Sequence, residues 1–305
     1  GLCALFGVSK QAYYQHDENR VMSRVAEMTF ALEYARSLRE MDPGMGIMKM
    51  WYMYQEEFRC ERDILGRDAF TDLLVDAKMK VRLKVRKPKT TDSSHGLPTY
   101  PNLVKDLIPT APNQLWVSDI TYITIWISEA EYVFCYLSLI MDAYTKEIVG
   151  WSVGDTLETT YPLEALRMAL KRIERLENVK LIHHSDRGCQ YASADYVSEL
   201  MKHGIRISMT ESGDPKDNAQ AERINNTMKN ELLKSMRFHS IEDVRKSVTK
   251  AIEFYNCCRP HMSLAMMTPA QAALFTGELE KLWKSYREEA IKAKEAAAAQ
   301  SALDI

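Results

Sequence analysis

The stretch 114–125, QLWVSDITYITI, decides the fold. Leu115, Val117 and Ile123 recur at alternate positions on one face, the period of a half-buried strand rather than of a helix. Asp119 falls on that same face. Aspartate is disfavoured in strands, and burying its charge without a partner costs on the order of several kcal/mol. A divalent cation, a buried arginine or hydrogen bonds at a strand end must therefore compensate it.

Two further strand-like runs follow, 132–141 and 147–153, with turn residues at 128–130 and 142–146. Three such runs with short links predict an antiparallel meander. Helix and strand signals alternate beyond it. A helix is expected to open at Thr160, with Pro162 in its first turn and Leu163, Leu166, Leu170 and Ile173 on one apolar face. There follow a strand over 179–183, a helix from Ser193 to His203 closed by Gly204, a strand over 205–209 and a helix from about Ala219 to Lys234. The order βββαβαβα predicts an α/β fold, a mixed sheet with helices on its faces. Ser240 with Asp243 reads as a capping box opening one more helix, 241–255.

The chain before this core has a different texture. Residues 2–15, LCALFGVSKQAYYQ, hold an apolar stretch, a Gly7-Val8-Ser9 turn and a second helical stretch, so 1–17 is either a partial helix-turn-helix or an ordinary helical hairpin. An all-helical unit is expected over 18–86. Its first helix, 20–40, would bury Val21, Val25, Met28, Leu32 and Ala35 and stop at Asp42-Pro43-Gly44; two more lie near 47–56 and 68–78. Pro88, Pro98, Pro101, Pro109 and Pro112 mark 87–112 as an extended linker. The core then runs over 113–275, and the Ala-, Glu- and Lys-rich segment 276–305 is a solvated helix or disorder.

Bulk composition narrows the function classes. At 305 residues the chain exceeds one average domain, and 46% hydrophobic with 27% charged residues is the balance of a soluble globular protein. The longest apolar stretch, Tyr132 to Met141, is too short to cross a bilayer, and the first residues lack a basic-then-apolar signal pattern. A cytoplasmic protein with no membrane partner is expected. Six cysteines without a Cys-x-x-Cys pair read as reduced thiols rather than zinc ligands. A net charge of −2 argues against DNA binding by the whole surface. Locally, however, Lys78, Lys80, Arg82, Lys84, Arg86, Lys87 and Lys89 occur without an intervening acid, either a phosphate-attracting run or a solvated helix end and linker.

Two more carboxylates stand where chemistry is placed in such sheets. Asp186, in KLIHHSDRGCQY, follows a short apolar strand at its carboxyl end, where open α/β sheets bind ligands; alternatively it caps the Asp186-Arg187-Gly188 bend. Glu222 lies on a helix whose buried stripe is Ala221, Ile224, Met228 and Leu232, beside Asn225, Asn226 and Lys229 on another face; alternatively it is a surface glutamate.

The blocks PNQLWVSDITYI (112–123), LSLIMDAYTKEIVGWSV (137–153), LIHHSDRGCQYAS (181–193), SMTESGDPKDNAQAER (208–223) and FYNCCRPHMSL (254–264) resemble the catalytic core of bacterial insertion-sequence transposases of the OrfB kind, relatives of retroviral integrases. The resemblance covers about residues 100–275 closely and the helical region more loosely. It implies an RNase H-like fold, in agreement with the element order, and a DDE active site of Asp119, Asp186 and Glu222. It implies metal-dependent DNA cleavage and strand transfer, with a catalytically silent DNA-binding regulator or assembly subunit as the rival. Hard oxygen ligands suit Mg²⁺ or Mn²⁺, two ions by the usual chemistry of phosphoryl displacement.

Lys229 matches the family's basic residue two helical turns beyond the glutamate and is expected to meet DNA phosphate, as are Lys84, Arg86 and Lys87 of the basic run. Tyr255, Asn256, Arg259, Pro260 and His261 match the family's YNxxRPH block, for which packing around the core is the expected role. DNA and further copies of the chain are the implied partners, in the bacterial nucleoid. The absence of an initial methionine suits a fusion with, or partnership to, an upstream helix-turn-helix protein. Departures from the pattern are Cys189 for serine, Cys257 and Cys258 for polar residues, Lys216 for an aromatic, and GMGIMKM at 44–50 where aromatic and arginine residues are usual.

Overall fold

The computed structural model describes residues 18–60, 64–80, 96–129, 131–174, 176, 180–211 and 218–303. The chain divides into two compact units, 1–84 and 85–305. The expected helix-turn-helix at 1–17 lies outside the described residues, as do Val179 and the stretch 81–95.

The first unit holds three helices, α1 (Glu18–Met41), α2 (Ile47–Phe58) and α3 (Arg67–Asp76). Its core differs from the face expected of α1. Ala35 is fully covered as expected, but Val21, Val25 and Met28 are exposed, and Ala31 and Leu38 are covered instead. The reason is length: α2 and α3 are short, and their aromatic residues meet only the second half of α1. Phe58 stands edge-on to Phe30 and Tyr34, and Tyr54 stacks on Phe70 at 5.2 Å. Such pairs add about 0.5–1.5 kcal/mol each beyond area burial. The small alanines let the aromatic layer approach the α1 backbone.

The second unit is built on five strands, β1 (Leu115–Trp126), β2 (Tyr132–Asp142), β3 (Ile148–Gly154), β4 (Ile182–Ser185) and β5 (Arg206–Met209). Their order is β3-β2-β1-β4-β5. The meander β1–β2–β3 is antiparallel, and β4 and β5 are parallel to β1, giving the mixed RNase H-like sheet. β4 begins three residues later than expected and reaches Ser185, because its ladder with β1 is set by the pairs Leu115↔Ile182 and Val117↔His184.

Helices α4 (Thr160–Leu170), the short α5 (Cys189–Ala192) and α6 (Ala194–Lys202) cover one face; α7 (Ala219–Thr227) and α8 (Ile241–Cys257) cover the other. Trp116, Ile140, Leu166, Leu181, Tyr196 and Leu200 pack together on the first face. Each such burial contributes about 1.5–3 kcal/mol. Gly150 lets α4 lie directly on β3, since a Cβ there would stand 2.1 Å from the Ala165 carbonyl oxygen. Gly204, at φ +66°, closes α6 as expected.

Two helices depart from their expected form. The helix from Ala219 changes at Met228 into one π-helical turn, Met228–Leu232. Ser240 caps α8 by accepting from Asp243 N, one half of the expected capping box. Beyond α8 come a 3₁₀ turn (Met262–Leu264), the short α9 (Pro269–Ala272) and α10 (Tyr286–Leu303). Residues 96–112 carry no helix or strand and lie along this unit. Leu103 N donates to Ser208 Oγ, Gly277 N donates to Thr110 O, and Arg287 donates to Val104 O.

Candidate active site

β1 is the middle strand of the sheet, and Asp119 lies just past the last residue that pairs with β4. Continuing the register Val117↔His184 by two residues sets Asp119 level with Asp186 on the adjacent strand line. Neighbouring strands run roughly 4.8 Å apart. The parallel crossover therefore brings two carboxylates together at the carboxyl end of β4.

Asp119 is half-buried. Its Oδ1 accepts from Ile120 N at 2.8 Å, and its Oδ2 accepts from Asn225 Nδ2 at 2.8 Å. No cation pairs with it among the described residues. Its pKa is pushed up to about 7, first by burial, then by repulsion from Asp186, with Glu222 adding to the rise and the two hydrogen bonds opposing it. Asp142, the last residue of β2, gives a contrast. It is buried too, but three backbone N–H groups, those of Asn113, Tyr144 and Thr145, donate to it. Asp142 thus closes the β2–β3 turn, while Asp119 is left with its charge largely uncompensated.

Asp186 does cap its own bend, accepting from Gly188 N at 2.9 Å, and it also bears on Asp119. Arg187 donates from Nε to Thr210 O, tying that bend to the end of β5. Behind the carboxylates stand Ser118 and Tyr191, whose side-chain oxygens are 3.1 Å apart; burial holds the Tyr191 hydroxyl protonated, with Asp119 and Asp186 contributing.

Glu222 is half-buried on α7, with Ala221, Ile224 and Met228 making the expected buried stripe. Two asparagines fasten this helix to β1. Asn218 Nδ2 donates to Ser118 O at 3.0 Å, and Asn225, two turns on, donates to Asp119. Residues of this kind are hard to single out in a sequence, because asparagine at a helix start normally signals a cap. The loop 212–217, with Lys216, lies outside the described residues.

Three like charges repel, and the carboxylates do not close into a finished ligand set: no group of three or more His, Cys, Asp or Glu among the described residues stands ready to hold a metal ion. The donor chemistry nevertheless fits a hard divalent cation. All three donors are carboxylates, they act on one another, and Asp119 has only an amide and one backbone N–H for partners.

Lys229 lies in the π-helical turn, its Nζ 3.6 Å from the Tyr122 ring centre, and burial lowers its pKa. Lys84, Arg86 and Lys87 lie outside the described residues. The block at 255–261 packs, as expected. Asn256 bonds both the N–H and the carbonyl of Ile148, and Arg259 pairs through two nitrogens with Glu231, at 2.7 and 2.9 Å, pinning the π-helical turn. His183 and His184 are buried, on Tyr196 Oη and Ser208 Oγ respectively.

The integrase core domain family matches twice, over residues 109–215 and 203–269. The insertion element IS600 uncharacterized 31 kDa protein of Shigella sonnei is 34% identical over 88% of this chain and 96% of its own length. The transposase for insertion sequence element IS629 of Shigella sonnei is 28% identical over 89% of this chain and 90% of its own. Transposase InsF for IS3A of Escherichia coli K12 is 37% identical over 58% and 60%. Among solved structures, the HTLV-2 integrase catalytic core domain in complex with magnesium is 18% identical, covers 54% of this chain and 99% of that one, and gives a TM-score of 0.39. With an integrase core spanning the sheet and a relative matched along almost its whole length, the chain belongs to the IS3 family of insertion-sequence transposases, DDE enzymes with an integrase core domain.

Proposed function

We propose that this chain cuts DNA at the ends of its element and joins the freed ends to new DNA, using Asp119, Asp186 and Glu222 as its catalytic carboxylates. The observation that carries the reading is the state of Asp119: level with Asp186, with no cation paired to it among the described residues, and with its pKa raised to about 7. At Asp142, by contrast, the fold supplies three backbone N–H donors.

Water attacks a phosphodiester at the element end, the 3′ oxygen leaves and takes a proton, and the new 3′-hydroxyl then displaces a 3′ oxygen at a second phosphodiester. No bond to the protein is formed. Asp119, Asp186 and Glu222 would hold Mg²⁺ or Mn²⁺, two ions on this reading, which lower the charge cost of such in-line displacements. The chain's own residues orient the donors. Ile120 N–H and Asn225 fix the two oxygens of Asp119, Gly188 N–H fixes Asp186, and the Asn218 and Asn225 bonds set α7 and hence Glu222. Lys229, Lys84, Arg86 and Lys87 contribute positive charge for phosphate. Further copies of the chain complete the assembly on DNA.

The test is a strand-transfer assay on duplexes bearing the element's terminal repeats, with Mg²⁺ or Mn²⁺. Joined products support the reading. Binding without cutting, under both ions, would instead make the chain a DNA-binding regulator or assembly subunit.

A further inference from the structure

The β1–β2 ribbon outruns the rest of the sheet. β3 ends at Gly154 opposite Tyr136, and β4 pairs β1 only up to Val117. Past those points the pairs Tyr122↔Tyr136, Thr124↔Phe134 and Trp126↔Tyr132 alternate with residues turned to the core, Ile123, Ile125 and Cys135. One face of the ribbon is therefore aromatic. Its rings touch in series: Tyr122 with Phe134 at 4.9 Å, Phe134 with Tyr132 at 5.4 Å, and Tyr132 with Trp126 at 5.5 Å.

Cross-strand aromatic pairs stabilise a ribbon on their own account. That does not explain why Tyr132 and Phe134 remain 53% and 41% exposed, or why cations sit at both ends of the row. Lys229 lies over Tyr122, and Arg237 lies over Trp126 at 4.6 Å. Arg237 is brought there by a second edge contact. Phe238 forms a parallel bridge with Ile125, its carbonyl accepts from Trp126 N, and Arg237 donates to Ser128 O. No acid occurs over 120–128 or 132–141; Glu129 and Glu131 lie in the turn beyond the last aromatic pair.

We infer that this face binds the unpaired DNA strand beside the cut, with bases stacked on Tyr132, Phe134 and their neighbours, and phosphates drawn to Lys229 and Arg237. It rests on the proposed function, for Lys229, which follows Glu222 on the same helical run, lies over Tyr122. Along β1, Tyr122 lies three residues and Trp126 seven beyond Asp119, roughly 10 and 23 Å at strand rise, on the alternate side of the pleat from the carboxylate. Exposed rings recognise base faces, which a stacked duplex hides, and flanking cations follow the backbone. A second copy docked through the same face would gather four cations and no acid in one two-fold contact.

The experiment measures binding of a labelled short oligothymidine to the full chain in chelator, so that cutting does not enter the readout. Tyr132→Ala with Phe134→Ala should weaken binding by about tenfold for each base stack lost, while Tyr132→Phe keeps it. Arg237→Gln should weaken it and flatten its salt dependence. Affinity for a blunt duplex should stay within about twofold, and the melting temperature of these surface variants should hold. Unchanged oligothymidine affinity overturns the inference. So does equal weakening for duplex, or a changed oligomeric state without a change in affinity, which would make the face a contact between copies. Asp119→Asn protein should bind oligothymidine normally, so failure of the catalytic assignment and failure of the stacking face are separable.

Discussion

Asn225 donates from Nδ2 to Oδ2 of Asp119 at 2.8 Å, so the helix bearing Glu222 is tied to the strand bearing Asp119 at the carboxylate itself. The Oδ1 of Asn225 is buried without a partner among the described residues. Removing a group that orients a metal-binding carboxylate costs roughly 10–100-fold in activity or metal affinity. Asn225→Ala should therefore lower cleavage by about that factor and raise the Mg²⁺ needed for half-maximal rate, with DNA binding kept. A Mg²⁺ titration of cleavage that superimposes on the parent's would refute the positioning role.

Asp119→Asn and Glu222→Gln keep side-chain size and remove charge. Each should cut cleavage and joining by on the order of a thousandfold or more, at about tenfold per 1.36 kcal/mol of barrier. The Asp119→Asn protein should stay folded, because Asn225 can turn its unpartnered Oδ1 toward the new amide. Near-parental rates from either folded variant would sink the assignment; loss of folding and binding together would make the carboxylates structural.

On the proposed assignment, divalent cations should stabilise the native state by mass action, since only the folded chain offers Asp119, Asp186 and Glu222 as one site. Adding Mg²⁺ should raise the melting temperature of the parent and leave that of Asp119→Asn nearly unmoved, and chelation should abolish activity reversibly. Equal shifts in both proteins would mean that the ion binds elsewhere.

His183 is buried against Tyr196, and burial lowers its pKa from 6.5 to about 3. Between those values the unfolded chain binds the proton and the folded one does not. Its contribution is therefore complete above about pH 6.5 and lost as pH falls toward 3, at about 1.4 kcal/mol per pH unit as a limit. In urea unfolding, the stability of the parent relative to His183→Gln should shrink from about pH 7 to about pH 4. A pH-independent difference would contradict the buried neutral ring.

Neutralising Lys84, Arg86 and Lys87 should weaken binding to all DNA sequences alike and reduce the salt slope by roughly one unit per lost phosphate contact. An unaltered slope would leave that run as a connection between the two units.

The sequence by itself determined the meander, the βββαβαβα order, the α6 stop at Gly204 and the buried stripe of α7, because strand alternation and helical spacing are local properties of the chain. Other features depended on partners remote in sequence. Burial on α1 kept Ala35 but moved from Val21, Val25 and Met28 to Ala31 and Leu38, because only the second half of that helix meets the aromatic layer. Met228 opens a π-helical turn where the 3.6-residue pattern reads straight through, and Arg259 locks that turn from beyond α8. The sequence reads Asp119 as a strand residue and Asp142 as a turn residue, but not what meets either charge. Three N–H donors satisfy one, while a parallel crossover brings Asp186 beside the other and leaves its charge to be met by something else. Pattern reports which face a residue takes; only tertiary packing decides which groups meet on it, because the energy of a buried charge is set by its neighbours in space.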